Sequence, residues 1–134
     1  MDRNKLKIIK PELKDISNFF EKNKSIYFRY FEKRDYEVIY NHLYTALYSY
    51  DNTVFGYGHI DIYDNKNWLG IFIREDFRGK KLSEHIVKDL LKNCKESVYL
   101  TVDLENIKAF NLYKKIGFEI VEIKEKYHLM IYKK

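Results

Sequence analysis

The order of apolar and polar positions along the chain predicts a fold that mixes strands and helices. Residues 5–10, KLKIIK, predict a short strand. Pro11 then opens a helix to about residue 23, because four apolar side chains recur there at helical spacing. Residues 25–42, SIYFRYFEKRDYEVIYNH, have only partial helical periodicity. This aromatic and charged segment therefore predicts one or two irregular helices.

Between residues 43 and 73 the pattern changes to runs rich in β-forming residues. The runs LYTALYSY, TVFGYGHIDIY and WLGIFI are separated by Asp51-Asn52 and by the four residues 64–67, DNKN. Asp and Asn are typical of tight turns because they tolerate the backbone conformations that such turns need. The segment therefore predicts an antiparallel meander of three strands.

The C-terminal half alternates helices and strands. An apolar stripe from Leu82 to Cys94 predicts a helix, and VYLTV, residues 98–102, predicts a strand after it. A strand, a crossover helix and a second strand in one sheet indicate a parallel pair. A helix over about 107–116 ends at Gly117, and FEIVEI and YHLMIY predict a final hairpin around residues 124–126. The fold class is thus α/β, with a mixed, mostly antiparallel central sheet of about seven strands and helices on both faces.

Composition is typical of a single cytoplasmic domain. The chain has 134 residues and no linker-like segment, and 46% of its residues are apolar, including 13 Tyr and 9 Phe. No run approaches the roughly 18 apolar residues of a membrane helix, and the N-terminus MDRNKLKIIK has no apolar signal core. The single cysteine, Cys94, has no internal partner for a disulfide and is expected to be buried.

The net charge of +5 is spread along the chain and favours an anionic ligand without identifying it. Nucleic acid, an acidic membrane surface and a phosphorylated cofactor all fit this charge. A polyamine fits less well, because the protein is basic and has few acidic clusters. Charge alone therefore leaves the functional class open.

Two segments carry the chemical information. Residues 71–83, IFIREDFRGKKLS, are a strand, a loop and a basic helix start, and residues 106–118, NIKAFNLYKKIGF, are a helix with Asn at its start and Tyr near its end. The second segment matches Asn-x-x-Ala-x-x-x-Tyr-x-x-x-Gly-Phe in full, and the first matches Arg-x-x-Gly-x-Gly/Ala in part. With these motifs the chain resembles the GCN5-related N-acetyltransferases (GNAT family). The resemblance implies a single N-acetyltransferase domain over residues 1–134, with a splayed pair of parallel strands.

The same resemblance implies a site for acetyl-CoA. The cofactor's pyrophosphate is expected over the loop and helix start, which comprise Arg78, Gly79, Lys80, Lys81, Leu82 and Ser83. A backbone N–H of the preceding strand, among Ile71, Phe72 and Ile73, is expected to bind the thioester carbonyl. Lys81 and Ser83 stand where the family has Gly and Gly/Ala, a departure that is expected to weaken the phosphate cradle without abolishing it. Lys81 is expected to hold a helical φ without strain.

The helix motif implies the remaining cofactor contacts and one catalytic group. Asn106, Ala109 and Tyr113 are expected to lie along the pantetheine arm, and Tyr113 occupies the family's position for the donor to the departing CoA thiolate. The reaction implied is direct transfer of an acetyl group to a primary amine. A thiol has a pKa of about 8.5 and a tyrosine one of about 10, so Tyr113 is expected to act mainly by hydrogen bonding.

The deprotonation of the amine is less constrained by the sequence. His59 lies on the strand beside the thioester-binding strand, shares a face with Asp61, and is the first candidate for the base, with an ionisation expected at about pH 6 to 7. A structural role for His59 remains the alternative, and His42 is a second candidate base. No spacing of His, Cys and carboxylates predicts a metal site.

The acceptor is expected to bind residues of the N-terminal half. Arg29, Tyr30, Arg34 and His42, with His59 and Asp61, form a mixture suited to a polar or anionic small molecule such as an amino sugar or an amino acid. Alternatives are a protein N-terminus as acceptor, a catalytically weak CoA-binding or sensor module, and a nucleic-acid-binding domain. The protein is expected to act as a monomer or homodimer without a nucleic-acid or membrane partner.

Overall fold

A computed structural model of the chain describes residues 2–79 and 81–134, which form one seven-stranded sheet flanked by helices. The strands are β1 (Leu6–Ile9), β2 (Tyr44–Tyr50), β3 (Thr53–Tyr63), β4 (Lys66–Ile73), β5 (Val98–Asp103), β6 (Glu119–Ile123) and β7 (Tyr127–Tyr132). Their order across the sheet is β1-β2-β3-β4-β5-β7-β6. Within the described residues every neighbouring pair is antiparallel except β4 and β5, which are parallel. The predicted fold class is confirmed.

The helices are α1 (Leu13–Lys22), α2 (Leu82–Lys92) and α3 (Ile107–Ile116), with short 3-10 helices at Arg3–Lys5, Tyr36–Asn41 and Glu75–Phe77. Helix α1 begins at a capping box, in which the Asp15 carboxylate accepts a hydrogen bond from the Glu12 N–H at 2.8 Å. Helix α3 ends at Gly117, whose φ of +126° is one that side chains rarely adopt. No helix among residues 2–79 and 81–134 is long and apolar enough to cross a membrane.

Two hydrophobic clusters cover the two faces of the sheet. Helices α2 and α3 pack on one face, where Ile86, Leu90, Leu100 and Met130 are all buried. Helix α1 and the Tyr36–Asn41 helix pack on the other face, against buried residues of β2, β3 and β4. Cys94 follows the end of α2 and is buried, as its residue type predicts.

The two β-hairpins of the meander turn at the Asp and Asn residues that the sequence indicated. Asp51 and Asn52, and likewise Asp64 and Asn65, have positive φ values between 50° and 67°. Two successive residues with positive φ match the right-handed twist of the flanking strands. The turn at Asp64-Asn65 fixes the β3–β4 register, which places His59 opposite Gly70 and Asp61 opposite Trp68.

Residues 25–42 contain one short helix, Tyr36–Asn41, and residues 25–35 form turns and bends. Aromatic packing holds this segment in place: the rings of Phe28 and Phe31 lie 5.4 and 5.0 Å from that of Phe20 on α1. Helical periodicity is weak here because the aromatic side chains are spaced to reach α1 and the sheet. The segment therefore becomes a wall beside β3 and β4.

Candidate active site

A cleft opens where β4 and β5 separate. These two strands are paired only at Asn67 with Val98 and at Trp68 with Tyr99. Beyond that point a cavity of about 1370 Å³ extends between β4, the start of α2, α3 and the segment 25–41. The splayed parallel pair is therefore present. A cavity of this size exceeds the range of about 300–1,000 Å³ for pockets that hold one drug-sized ligand.

Backbone groups of β4 point into this cleft at alternate residues. The Arg74 N–H donates to the Phe55 carbonyl at 2.8 Å, which fixes the alternation of hydrogen bonds in the β3–β4 ladder. By this alternation Phe72 directs its N–H toward β3. Ile71 and Ile73 direct theirs toward the side on which β5 has separated. Of the three residues that the sequence indicated, Ile71 and Ile73 thus offer backbone donors to the cleft.

The connection from β4 to α2 carries a left-handed residue that the sequence did not predict. Lys81 has φ +62° and ψ +10°, so the expectation of a helical φ is wrong. The chain must turn sharply here because the next residue, Leu82, is fully buried beneath the sheet. Arg78 donates from Nε to the Ile73 carbonyl at 3.3 Å, which holds its side chain against the end of β4. Lys80 lies outside the described residues.

Replacing Lys81 by glycine is expected to raise the free energy of unfolding by about 1 kcal/mol. A side chain in the left-handed region costs roughly 1–2 kcal/mol, and glycine avoids this cost. Part of the resulting gain in stability is lost because glycine has greater conformational freedom in the unfolded chain. Denaturant unfolding measures the change. As a matched control, Lys114→Gly at a helical position of α3 should lower stability by about 1 kcal/mol. Destabilisation by both substitutions would contradict the strain at Lys81.

Helix α3 places its motif residues against the cleft. The Asn106 Oδ1 accepts from the Ala109 N–H at 3.4 Å and caps the helix, and both residues line the cleft. Tyr113 lies two turns further on, is buried, and packs edge-on to the Phe118 ring at 5.6 Å. Its hydroxyl has no hydrogen-bond partner among the described residues, and burial raises its pKa above the ordinary value of 10. The phenol therefore stays protonated at neutral pH and faces the cleft as a donor.

A continuous network of polar side chains begins at the wall of the cleft that the segment 25–41 and β3 form, where the acceptor is expected, and extends behind it. The Tyr30 hydroxyl lies 2.7 Å from Asp61 Oδ2 and 2.7 Å from His42 Nε2, and His42 Nδ1 lies 2.8 Å from the Thr45 hydroxyl. A carboxylate only accepts, so the Tyr30 O–H donates to Asp61 and its oxygen accepts from His42 Nε2–H. The Thr45 hydroxyl then donates to His42 Nδ1. The network thus fixes one tautomer of His42.

His59 lies beneath this network. Its ring centroid is 4.4 Å from those of Tyr30 and of His42, and its Nδ1 is 2.6 Å from the Tyr57 hydroxyl. The ring occupies the space above Gly70 on β4, where a β-carbon would overlap Nε2. Glycine at position 70 therefore allows the imidazole to lie on the strand that borders the cleft. His59 and Asp61 both line the cleft, on the same face of β3.

Both histidines are held neutral at physiological pH. Burial lowers the pKa of His59 well below 6.5, and the neighbouring His42 and Arg34 lower it further. Burial also lowers the pKa of His42, to about 4, although Asp61 acts in the opposite direction. An ionisation of His59 is therefore expected below the ordinary histidine range of about 6 to 7.

The two arginines on this wall have different partners. Arg29 pairs with Asp103 at the end of β5, with nitrogen–oxygen distances of 3.2 and 3.3 Å, and also donates to the Ile26 carbonyl. Arg34 stacks over the Tyr30 ring, with its Cζ 4.3 Å from the centroid, and donates to the Tyr30 carbonyl at 2.9 Å. No carboxylate among the described residues pairs with Arg34. The structure thus brings together all six residues that the sequence indicated for the acceptor side.

Four residues of the site were not predicted from the sequence: Tyr57, Thr45, Gly70 and Asp103. Tyr57 lies two residues before His59 and therefore on the same face of β3. The alternation of side chains along a strand could have identified it. Thr45 lies opposite His59 only because an irregularity between Tyr48 and Ser49 shifts the β2–β3 register that the turn at Asp51-Asn52 sets. The Asp103 contact joins residues 74 positions apart and has no local signal.

Comparisons with known proteins agree with this geometry. The family model described as "Acetyltransferase (GNAT) family" matches residues 11–118. Naa50 of Arabidopsis thaliana, solved in complex with the bisubstrate analogue CoA-Ac-MVNAL, superposes with a TM-score of 0.77 at 18% identity, covering 97% of this chain and 99% of that one. The PaiA N-acetyltransferase of Thermoplasma acidophilum, in complex with coenzyme A, gives 0.76 at 18%, covering 96% and 99%.

A relative of closer sequence is the spermine/spermidine N(1)-acetyltransferase of Bacillus subtilis strain 168, which is 37% identical over 65 residues. That match covers 42% of this chain and 43% of the Bacillus enzyme, so it spans less than half of either. The solved structures share the fold, and the family model spans both the connection from β4 to α2 and the α3 motif. From this match and from the splayed β4–β5 cleft it follows that the chain belongs to the acetyltransferase (GNAT) family.

Proposed function

We propose that this protein is an acetyl-CoA-dependent N-acetyltransferase that moves an acetyl group directly to a primary amine of a small molecule, of the amino sugar or amino acid type. The observation that carries the proposal is the cleft itself. It has backbone donors on β4, the basic loop from Arg78 to Ser83 at its rim, the phenol of Tyr113 without a hydrogen-bond partner among the described residues, and a polar network on the opposite wall. These elements lie around a single cavity.

The residues of the cleft fit acetyl-CoA. Arg78 and the free N–H groups at the start of α2 offer positive charge and donors to a pyrophosphate. Gly79, Leu82 and Ser83 complete this loop with Lys81, and Lys80 is proposed to add its charge. The unpaired edge of β4 accepts an extended chain such as pantetheine, because β5 leaves it unpaired beyond Trp68. When bound, the cofactor supplies an acetyl group activated as a thioester.

Two parts of the chain stabilise charge during transfer. One of the two N–H groups, that of Ile71 or that of Ile73, donates to the acetyl carbonyl oxygen, which gains negative charge as the amine attacks. The phenol of Tyr113 donates a hydrogen bond to the departing sulfur. Because the pKa of Tyr113 is raised, it holds its proton while it donates, and the thiol completes its protonation from solvent.

His59 is the proposed base. This role requires the tautomer in which Nδ1 carries the proton and donates to the Tyr57 oxygen at 2.6 Å, so that Nε2 presents its lone pair above Gly70, beside the edge of β4. The neutral imidazole takes a proton from the ammonium directly or through one water molecule. His42, with Tyr30 and Asp61, is the alternative route, because the same amine proton could pass along their hydrogen bonds.

The position of the segment 25–41 favours a small molecule as the acceptor of the acetyl group. The segment covers the acceptor side of the cleft with aromatic rings, and its Arg29 reaches Asp103 on β5. Among the structural relatives, PseH of Campylobacter jejuni and spermidine N-acetyltransferase SpeG of Vibrio cholerae share the fold with Naa50. A protein N-terminus as acceptor and a CoA sensor without turnover remain the alternatives to be distinguished by experiment.

Acetyl transfer from acetyl-CoA to an amine is tested by measuring free thiol with a panel of amino sugars, amino acids, polyamines and short peptides. We expect amine-dependent thiol release that is highest with a small-molecule amine. Release with peptides alone would support the N-terminal alternative. CoA binding without release for any amine would support the sensor alternative.

The cofactor part of the proposal is tested with Arg78→Glu, which should weaken CoA binding by roughly ten- to a hundredfold in calorimetry, because it replaces an attractive charge by a repulsive one. Arg3→Glu changes the net charge equally in an exposed N-terminal helix outside the cleft. It should leave CoA affinity unchanged. Equal affinity of wild type and Arg78→Glu would rule out this phosphate site.

A further inference from the structure

We propose that the acceptor carries an oxyanion, a carboxylate or a phosphate, beside its amine, and that Arg34 binds this group. The inference rests on the proposed function and names the chemical class of its acceptor. It comes from the contacts of the two arginines on the acceptor wall and from the state of the carboxylates around them.

Arg34 is held in place without being neutralised. Its guanidinium lies 4.3 Å from the centroid of the Tyr30 ring, and one of its nitrogens donates to the Tyr30 carbonyl at 2.9 Å. These contacts use one face and one N–H of the guanidinium, which has five N–H donors. No carboxylate of the described residues forms an ion pair with it. The remaining donors are therefore available to a ligand in the cleft that Arg34 lines.

Arg29 differs because its charge is already compensated. Two of its nitrogens contact the two oxygens of Asp103, at 3.2 and 3.3 Å. This pair links the segment 25–35 to the end of β5 and fixes the position of the wall. Arg29 therefore contributes to the shape of the acceptor site, whereas Arg34 contributes its charge.

The carboxylate of Asp61 on the acceptor wall already accepts hydrogen bonds from the protein. Asp61 accepts from the Tyr30 hydroxyl at 2.7 Å through Oδ2 and from the Ile62 N–H at 2.8 Å through Oδ1. Glu105, which also lines the cleft, lies in the connection from β5 to α3 on the opposite wall. A multiply cationic acceptor would need uncompensated carboxylates near the amine site, and it would be repelled by Arg34. An acceptor with one amine and one oxyanion matches the wall in charge.

The position of Arg34 also sets the expected geometry of the acceptor. The guanidinium of Arg34 stacks over the ring of Tyr30. The hydroxyl of Tyr30 donates to Asp61, and the centroid of its ring lies 4.4 Å from that of His59. An oxyanion on Arg34 would therefore hold the amine of the same molecule on the side of Tyr30 where His59 and Asp61 lie. In this arrangement Arg34 is a specificity-determining residue that positions the acceptor.

The test compares acceptors that differ only in the oxyanion. The pairs are an α-amino acid against its amide, for a carboxylate, and glucosamine against glucosamine 6-phosphate, for a phosphate. We expect kcat/KM to be higher for one of the anionic members by roughly ten- to a hundredfold, the range of a charge-assisted hydrogen bond. The pair that shows the preference identifies the oxyanion.

Variants then assign the preference to Arg34. Arg34→Gln should abolish the preference for the anionic member, and Arg34→Lys should keep part of it, because lysine retains the charge but loses the planar fork. Arg74→Gln is the matched control, since Arg74 also stacks on an aromatic ring, 5.4 Å from Phe77, but does not line the cleft. It should leave the ratio of the two kcat/KM values unchanged.

The outcomes separate this inference from the proposed function. Transfer to neutral amines or spermidine as efficient as to the anionic members would overturn the inference and leave the acetyltransferase proposal standing. Absence of transfer to any amine would overturn the proposed function, and calorimetry of the same pairs with the CoA-bound protein would then decide the inference. Tighter binding of an anionic member by tenfold or more, lost in Arg34→Gln, supports it, and equal binding overturns it.

Discussion

Replacing Tyr113 by phenylalanine should lower the rate of acetyl transfer roughly ten- to a thousandfold while CoA affinity changes little. The ring remains and keeps its contact with Phe118, so the packing of α3 is preserved. Only the hydroxyl that faces the cleft is lost, and with it the hydrogen bond to the departing sulfur. Steady-state kinetics with saturating acetyl-CoA measures the rate, and calorimetry measures the affinity.

Tyr132→Phe provides the matched control for Tyr113→Phe. The rings of Tyr132 and Tyr113 lie 5.5 and 5.6 Å from that of Phe118, but only Tyr113 lines the cleft. The control should therefore retain the wild-type rate. A wild-type rate in Tyr113→Phe as well would reduce Tyr113 to a packing residue. The raised pKa of Tyr113 adds a further expectation, that its ionisation is absent from the pH profile below about pH 10.

Replacing His59 by glutamine should lower kcat/KM roughly a hundredfold at neutral pH, which is within the range for loss of a general base. The loss should shrink as the pH rises, because an amine with a pKa near 10 then deprotonates without help. Glutamine has a similar length and can hydrogen bond, so the melting temperature shows whether the buried site stays folded.

The direction of the shift in the pKa of His59 determines at which pH kcat/KM should fall. A base acts in its neutral form, and burial lowers the pKa of His59 well below 6.5, so the wild type should keep its full base activity at pH 7 and lose it only as the pH falls well below 6.5. This acid limb should change in His59→Gln. An unchanged profile would assign the base elsewhere, and the route through His42, Tyr30 and Asp61 becomes the next candidate.

His128→Gln is the control for the removal of an imidazole outside the cleft, one that is half-buried. His128 lies on β7, stacks on Phe110 with centroids 4.5 Å apart, and has a buried Nδ1 without a hydrogen-bond partner among the described residues. It does not line the cleft. Its replacement should leave the acid limb of kcat/KM in place even where it changes stability.

Local features of the sequence predicted much of the fold because they act over a few residues. The turns at Asp51-Asn52 and Asp64-Asn65 specify tight hairpins, and the Gly117 end of α3 follows from helix geometry. The segment 25–35 was harder, because its aromatic residues are placed by contacts with Phe20 and the sheet and have no regular period.

By itself, the sequence determined the order of strands and helices, the loop after β4, and the motif from Asn106 to Phe118, because periodicity, turn chemistry and capping are local. Only the tertiary structure decided the rest of the site. The left-handed Lys81 depends on the burial of Leu82, and the neutrality of His59 depends on Tyr30 and His42 above it. The different partners of Arg29 and Arg34 likewise depend on contacts that join distant segments, and such contacts leave no pattern in the residues on either side.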